Sequence, residues 1–94
     1  MLKGVTQEEY QEILSILKKY NAKFYAYGSR VRDDYTKSSD LDILVNSDNY
    51  DCIYRDLKED FNNSHIPYIV NFVDKNNISD EFYSFIQKDL VEFT

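Results

Sequence analysis

The chain has one cysteine, Cys52, in 94 residues. It therefore cannot close a disulfide within itself, and it fits a reducing compartment. No apolar run approaches the roughly 20 residues a membrane-spanning helix needs. Met1-Leu2-Lys3-Gly4 runs directly into polar residues, so no secretory leader is expected and the expected location is the cytoplasm. Positive charge is also in short supply. Eleven Lys and Arg against 17 Asp and Glu give a formal net charge of −6. That balance argues against direct binding to nucleic acid, whose phosphates need a basic surface, and leaves room for a basic protein partner. His65 is the only histidine and has no Cys or His near it in sequence. It reads as a solvated or locally bonded side chain. Repeats, linkers and low-complexity stretches are absent too.

What remains is the material of one small folded domain, residues 1–94, with nine Tyr and six Phe suited to a compact core. Thr6 to Tyr20 reads as a helix. Thr6 and Glu9 have the spacing of a capping box, and Tyr10, Ile13, Leu14, Leu17 and Tyr20 fall on one face. Lys23 to Tyr27 reads as a strand ending at Gly28. Ser29 to Asp33 is expected to form one helical turn, and Asp34 to Ser39 a polar loop. Leu41 to Val45 is an unbroken apolar run of the kind found inside a sheet. Asn46-Ser47-Asp48 stops that strand and offers caps to a helix reaching about Phe61, with Tyr50, Ile53, Tyr54, Leu57 and Phe61 as its stripe. Cys52 flanks this stripe and reads as a buried or half-buried structural thiol. Pro67 holds Ile66 extended before a third strand, Tyr68 to Val73. Ser79 caps a last helix with Asp80 and Glu81 in its first turn, and Phe82, Tyr83, Phe85, Ile86, Leu90 and Phe93 mostly face the core. Helices alternating with strands predict an α/β (α+β) domain in which helices cover a sheet.

The chemistry concentrates between Tyr27 and Val45. Asp40 and Asp42 stand one residue apart at the entrance of the second strand, so their side chains share a face while Leu41 and Ile43 point the other way. Two carboxylates side by side repel unless something positive lies between them. Mg²⁺, held by one or two carboxylates and by substrate phosphates, is the usual solution. Gly28-Ser29 supplies a turn in which backbone can approach a phosphate closely, with N–H groups and a hydroxyl to hold it. Arg30 and Arg32 either contact a triphosphate or pair with Asp33, Asp34 or other carboxylates. Lys37 is a weaker candidate of the same kind.

Gly28-Ser29, ten residues, then Asp40-x-Asp42 resembles the signature of the polymerase-beta-like nucleotidyltransferase superfamily. The short chain and the form Gly-Ser-Arg-x-Arg…Ser-Asp-x-Asp resemble its minimal nucleotidyltransferases, often antitoxins paired with HEPN-domain toxins. Ile66 to Asp74 and Ile78 to Glu81 are similar to the family's third motif and closing helix. The resemblance implies a small mixed sheet with a polymerase-beta-like core rather than a wholly parallel one. It implies transfer of AMP from Mg-ATP to a hydroxyl, with Asp40 and Asp42 as metal ligands and Gly28, Ser29, Arg30 and Arg32 on the nucleotide. The implied acceptor is a tyrosine on a HEPN toxin, in a complex of toxin and antitoxin.

One position departs from the family. The third carboxylate aligns with Asn71, which is neutral and cannot act as a base, although its carbonyl oxygen can serve a metal. Asp74 is a tempting replacement, but strand parity puts it on the opposite face from Asn71 unless the strand bulges. Asp33 also stands where many members carry glycine. The alternative to an enzyme is thus a nucleotide-binding module that neutralises its partner by contact.

Overall fold

The computed structural model describes residues 2–94. The first helix, α1, runs from Gln7 to Leu17. Its predicted capping box is present: the Thr6 hydroxyl accepts the Glu9 N–H at 3.1 Å, and the Glu9 carboxylate accepts the Thr6 N–H at 3.0 Å. The helix stops short of Tyr20, whose hydroxyl instead donates to Asp60. The remaining elements are β1 (Lys23–Tyr27), β2 (Leu41–Asn46), α2 (Tyr50–Asn62), β3 (Val70–Asp74), α3 (Asp80–Ile86) and β4 (Val91–Glu92), with short 3₁₀ turns at Lys75–Asn77 and Gln87–Asp89.

The sheet has the order β3-β2-β1-β4. β1 runs antiparallel to β2 and to β4, while β2 and β3 are parallel and joined through α2, so the sheet is mixed as the resemblance implies. Period-two alternation divides its faces. Phe24 and Ala26 of β1 and Leu41, Ile43 and Val45 of β2 join Ile13, Ile16 and Leu17 of α1 and Leu57 and Phe61 of α2 in the main core. Tyr25, Tyr27, Asp42, Leu44 and Asn71 have the opposite parity. On that side Phe82 of α3 meets Tyr27 edge to face.

Several boundaries differ from the sequence expectations. β3 starts at Val70 rather than Tyr68. The last helix ends at Ile86, and Leu90 and Phe93 are not part of its stripe. The open edge of β1 recruits Val91 and Glu92 as an extra strand, which the helical periodicity of the preceding residues conceals. Phe93 then stacks on Tyr10, and its N–H donates to the Phe24 carbonyl. Phe85 is exposed rather than core-facing, and Cys52 is exposed rather than buried. Among the described residues no helix is long and apolar enough to cross a membrane.

Candidate functional site

The candidate site lies where β1 ends and β2 and β3 begin. Asp42 is register partner to both Tyr27 on β1 and Asn71 on β3, so the three side chains emerge together. Asp40 lies just before β2, and its neighbour Leu41 donates its N–H to the Ile69 carbonyl at 2.8 Å. Sequence-distant residues thereby converge on one point. The Asn71 amide nitrogen, Nδ2, donates to Asp40 Oδ2 at 2.9 Å and to Asp42 Oδ1 at 3.2 Å. One neutral donor is shared between two carboxylates, which face the same small volume.

That volume suits a hard cation. Both facing atoms are carboxylate oxygens, and a half-turn of the Asn71 amide would add a third oxygen donor. Electrostatics point the same way. Burial raises the Asp42 carboxyl above the usual carboxylate range; the Asp40 charge adds to this, whereas the Asn71 hydrogen bond and Arg32 pull it back. A divalent ion would offset both the lost hydration and the repulsion. Tyr27 is pushed up to about 12, by burial first and the Asp42 carboxylate second.

Gly28 is required here for two reasons. Its φ is +88°, and a Cβ at this position would stand 2.7 Å from Asp42 Oδ2. The carboxylate packs into the space a side chain would fill. After Gly28 the chain makes one hydrogen-bonded turn, with the N–H groups of Val31 and Arg32 returning to the Gly28 carbonyl at 3.0 and 3.2 Å. The N–H groups of Ser29 and Arg30 stand outside that pattern, like the first donors of any helical turn. Asp33 accepts its place without strain: among the described residues no non-glycine has positive φ.

The two arginines part company. Arg32 has a side chain 40% exposed; it donates to Asp34 and lies 3.8 Å from Asp89. It remains close enough to Asp42 to lower its carboxyl. Arg30 is 1% exposed and corrects the expectation of a phosphate contact. Its guanidinium donates to the carbonyls of Ser39, Lys3 and Lys37 at 3.0, 3.0 and 3.4 Å and lies 4.0 Å over the Tyr68 ring. With its donors committed inside the fold, it presents nothing to a ligand. Lys37 contributes that carbonyl, and its side chain is exposed. Asp74 caps the following 3₁₀ turn by accepting the Asn76 N–H, as parity against a site role requires. The exposed His65 sits 3.5 Å from Glu12.

Sequence reasoning missed Tyr68 as the surface on which Arg30 lies and Asp89 as a partner of Arg32. Tyr68 reads from sequence as a strand residue, and no local spacing links it to Arg30. β3 is an edge strand, and a groove of about 250 Å³ lined by Lys58, Phe61, Ile66, Ile69 and Asn71, among others, runs beside it.

Comparison with known proteins agrees with this geometry. Residues 8–93 match the model of the nucleotidyltransferase domain. A probable protein adenylyltransferase, MntA, of Haemophilus influenzae is 38% identical over 66 residues, covering 68% of this chain and 58% of that protein. The chain thus spans a little over half the length of this relative.

Proposed function

Since the chain belongs to the nucleotidyltransferase domain family, as a minimal nucleotidyltransferase of the polymerase-beta-like superfamily, we propose that it transfers AMP from Mg-ATP to a hydroxyl of a partner protein. The observation that carries this reading is the convergence of Asp40, Asp42 and Asn71 beside the Gly28-Ser29 turn. In this reading, supported by the resemblance to antitoxins, the partner is a HEPN-domain toxin and the acceptor a tyrosine on it. The net charge of −6 suits a basic partner surface.

Asp40 and Asp42 would hold Mg²⁺, which supplies neutralisation of the charge that builds on the phosphates during transfer. Gly28 and Ser29 would receive the β- and γ-phosphates through backbone N–H groups and the serine hydroxyl. Arg32, half exposed and near Asp42, would steady the phosphates once released from Asp34. In the reaction the acceptor oxygen bonds to the α-phosphorus, the bond from that phosphorus to the bridging oxygen breaks, and pyrophosphate leaves. The acceptor proton must pass to a base, and Asn71 offers none.

That last point favours a second reading, in which the domain binds Mg-ATP and silences its partner by contact. The amide of Asn71 keeps the shape of a carboxylate and lacks its basicity. General-base help is typically worth ~10²–10⁴-fold in rate. Single-turnover transfer of labelled nucleotide to the partner is therefore expected to be slow for the natural chain and at least ~10²-fold faster for Asn71→Asp, with ATP affinity little changed. Equal rates would remove position 71 from the chemistry. Calorimetry tests the site itself: Mg²⁺ strengthens ATP binding in the natural chain, and Asp40→Ala or Asp42→Ala removes most of that gain. Equal affinities in all three proteins would rule out the two-carboxylate site.

A further inference from the structure

Resting on the two-carboxylate reading above, we infer that Arg30 is a positioning residue for the Asp40 carboxylate. Asp40 belongs to no helix or strand. It is held by its neighbours on either side. The Leu41 N–H is taken by the Ile69 carbonyl at 2.8 Å, and the Ser39 carbonyl is taken by Arg30 Nε at 3.0 Å. The same guanidinium reaches the Lys37 carbonyl at 3.4 Å, so it holds the loop before Asp40 at two points. Among the described residues that loop's own hydrogen bonds are all short-range, between Thr36 and Ser39 and between Arg32 and Asp34.

Arg30 is itself fixed to two other parts of the chain. Its backbone carbonyl accepts the Lys3 N–H at 2.6 Å, and its Nη1 donates to the Lys3 carbonyl at 3.0 Å. A Cβ on Gly4 would come within 2.6 Å of Nη1, so the N-terminal segment closes tightly over the guanidinium. On the remaining side its plane lies 4.0 Å over Tyr68, whose hydroxyl donates to Glu9 of α1 at 3.2 Å. Tyr68 is three residues before Asn71. One buried cation thus ties the loop that carries Asp40 to the segment that leads into β3.

A planar fork with several donors in fixed directions can serve three carbonyls at once, whereas an ammonium on a flexible stem cannot hold the same three positions. Loss of the fork frees the Ser39 carbonyl and lets the Asp40 carboxylate leave the point it shares with Asp42. Groups that hold a metal ligand in place commonly account for ~10–100-fold in metal affinity. Arg30 acts through Asp40 and touches no substrate.

The test is Mn²⁺ added alone to the nucleotide-free chain, followed by paramagnetic broadening of backbone amide signals at Asp40 and Asp42. Arg30→Lys is expected to weaken Mn²⁺ binding ~10-fold or more. Tyr68→Leu, which keeps the carbonyl bonds and removes the ring beneath the guanidinium, shifts binding in the same direction by a smaller factor and serves if Arg30→Lys does not fold. Leu17→Ala, in the core under α1, lowers the unfolding temperature and leaves Mn²⁺ affinity unchanged, which separates positioning from general destabilisation. Equal affinity in the natural chain and the folded Arg30 or Tyr68 variant overturns this inference and leaves the two-carboxylate site standing. So does an equal loss in Leu17→Ala. A natural chain that takes up no Mn²⁺ overturns both.

Discussion

The two faces of β2 are built on opposite terms. Leu41, Ile43 and Val45 point into the cluster under α1 and α2 and are wholly buried. Asp42 points the other way, between Tyr27 and Asn71, and is only half-buried. The polar face is not polar throughout, because Leu44 two residues on is again fully buried. The site is confined to the end where β2 and β3 start and β1 stops. One face supplies rigidity through packing, and the other uses it to hold two like charges closer than solvent alone would favour.

Substitutions on adjacent residues break this comparison most sharply. Ile43→Ala leaves a cavity in the core and is expected to cost about 2–5 kcal/mol by chemical denaturation. Next comes Gly28→Ala, which places a side chain at positive φ for about 1–2 kcal/mol and drives its Cβ toward Asp42. Combined with Asp42→Ala, which vacates that space, it is expected to cost less than the two single effects added together. Strict additivity in the denaturation curves would show that the glycine and the carboxylate do not compete for space. Thr6→Ala removes the α1 cap for about 1 kcal/mol and is expected to leave Mg²⁺-dependent ATP binding unchanged, since the core residues of α1 pack on the face of the sheet opposite Asp42.

The smallest effect concerns pH, in protein kept free of metal by a chelator. The Asp42 carboxyl is raised in the folded state, so between its unfolded and folded values the folded chain binds more protons. Stability contributed by this group is present at low pH and is lost as pH rises through the raised value. Asp42→Asn is therefore expected to unfold at a slightly higher temperature than the natural chain at pH 7, with the difference closing as the solution is acidified below the unfolded value. A variant less stable at pH 7 would mean that the Asn71 and Arg32 contacts outweigh burial and repulsion.

Much of this arrangement was legible in the residues. The capping box, the alternation in β2 and the shared face of Asp40 and Asp42 are local patterns, and local patterns carry into structure when packing agrees with them. The alignment of Asn71 with the carboxylate pair came from the resemblance of the third strand to the family's third motif, and the parallel register of β2 and β3 places it there. Arg30 was not legible, since its partners at Lys3, Lys37, Ser39 and Tyr68 share no spacing with it, and an arginine beside a phosphate loop looks the same whether it faces in or out. β4 was hidden for a related reason: two residues form a strand only because β1 presents an open edge to them.

The parallel joining of β2 to β3 bears on how the molecule reaches this state. Asp42 and Asn71 lie 29 residues apart in the chain and meet only after α2 has crossed over the sheet. Closing that loop costs entropy before the contact returns anything, so the contact belongs with the slower events of folding. Until it forms, Asp40 and Asp42 face each other with no donor between them. A cation bridging residues 40, 42 and 71 would fasten the two ends of the crossover together, and its kinetic imprint would fall on the rate of unfolding more than on the rate of folding.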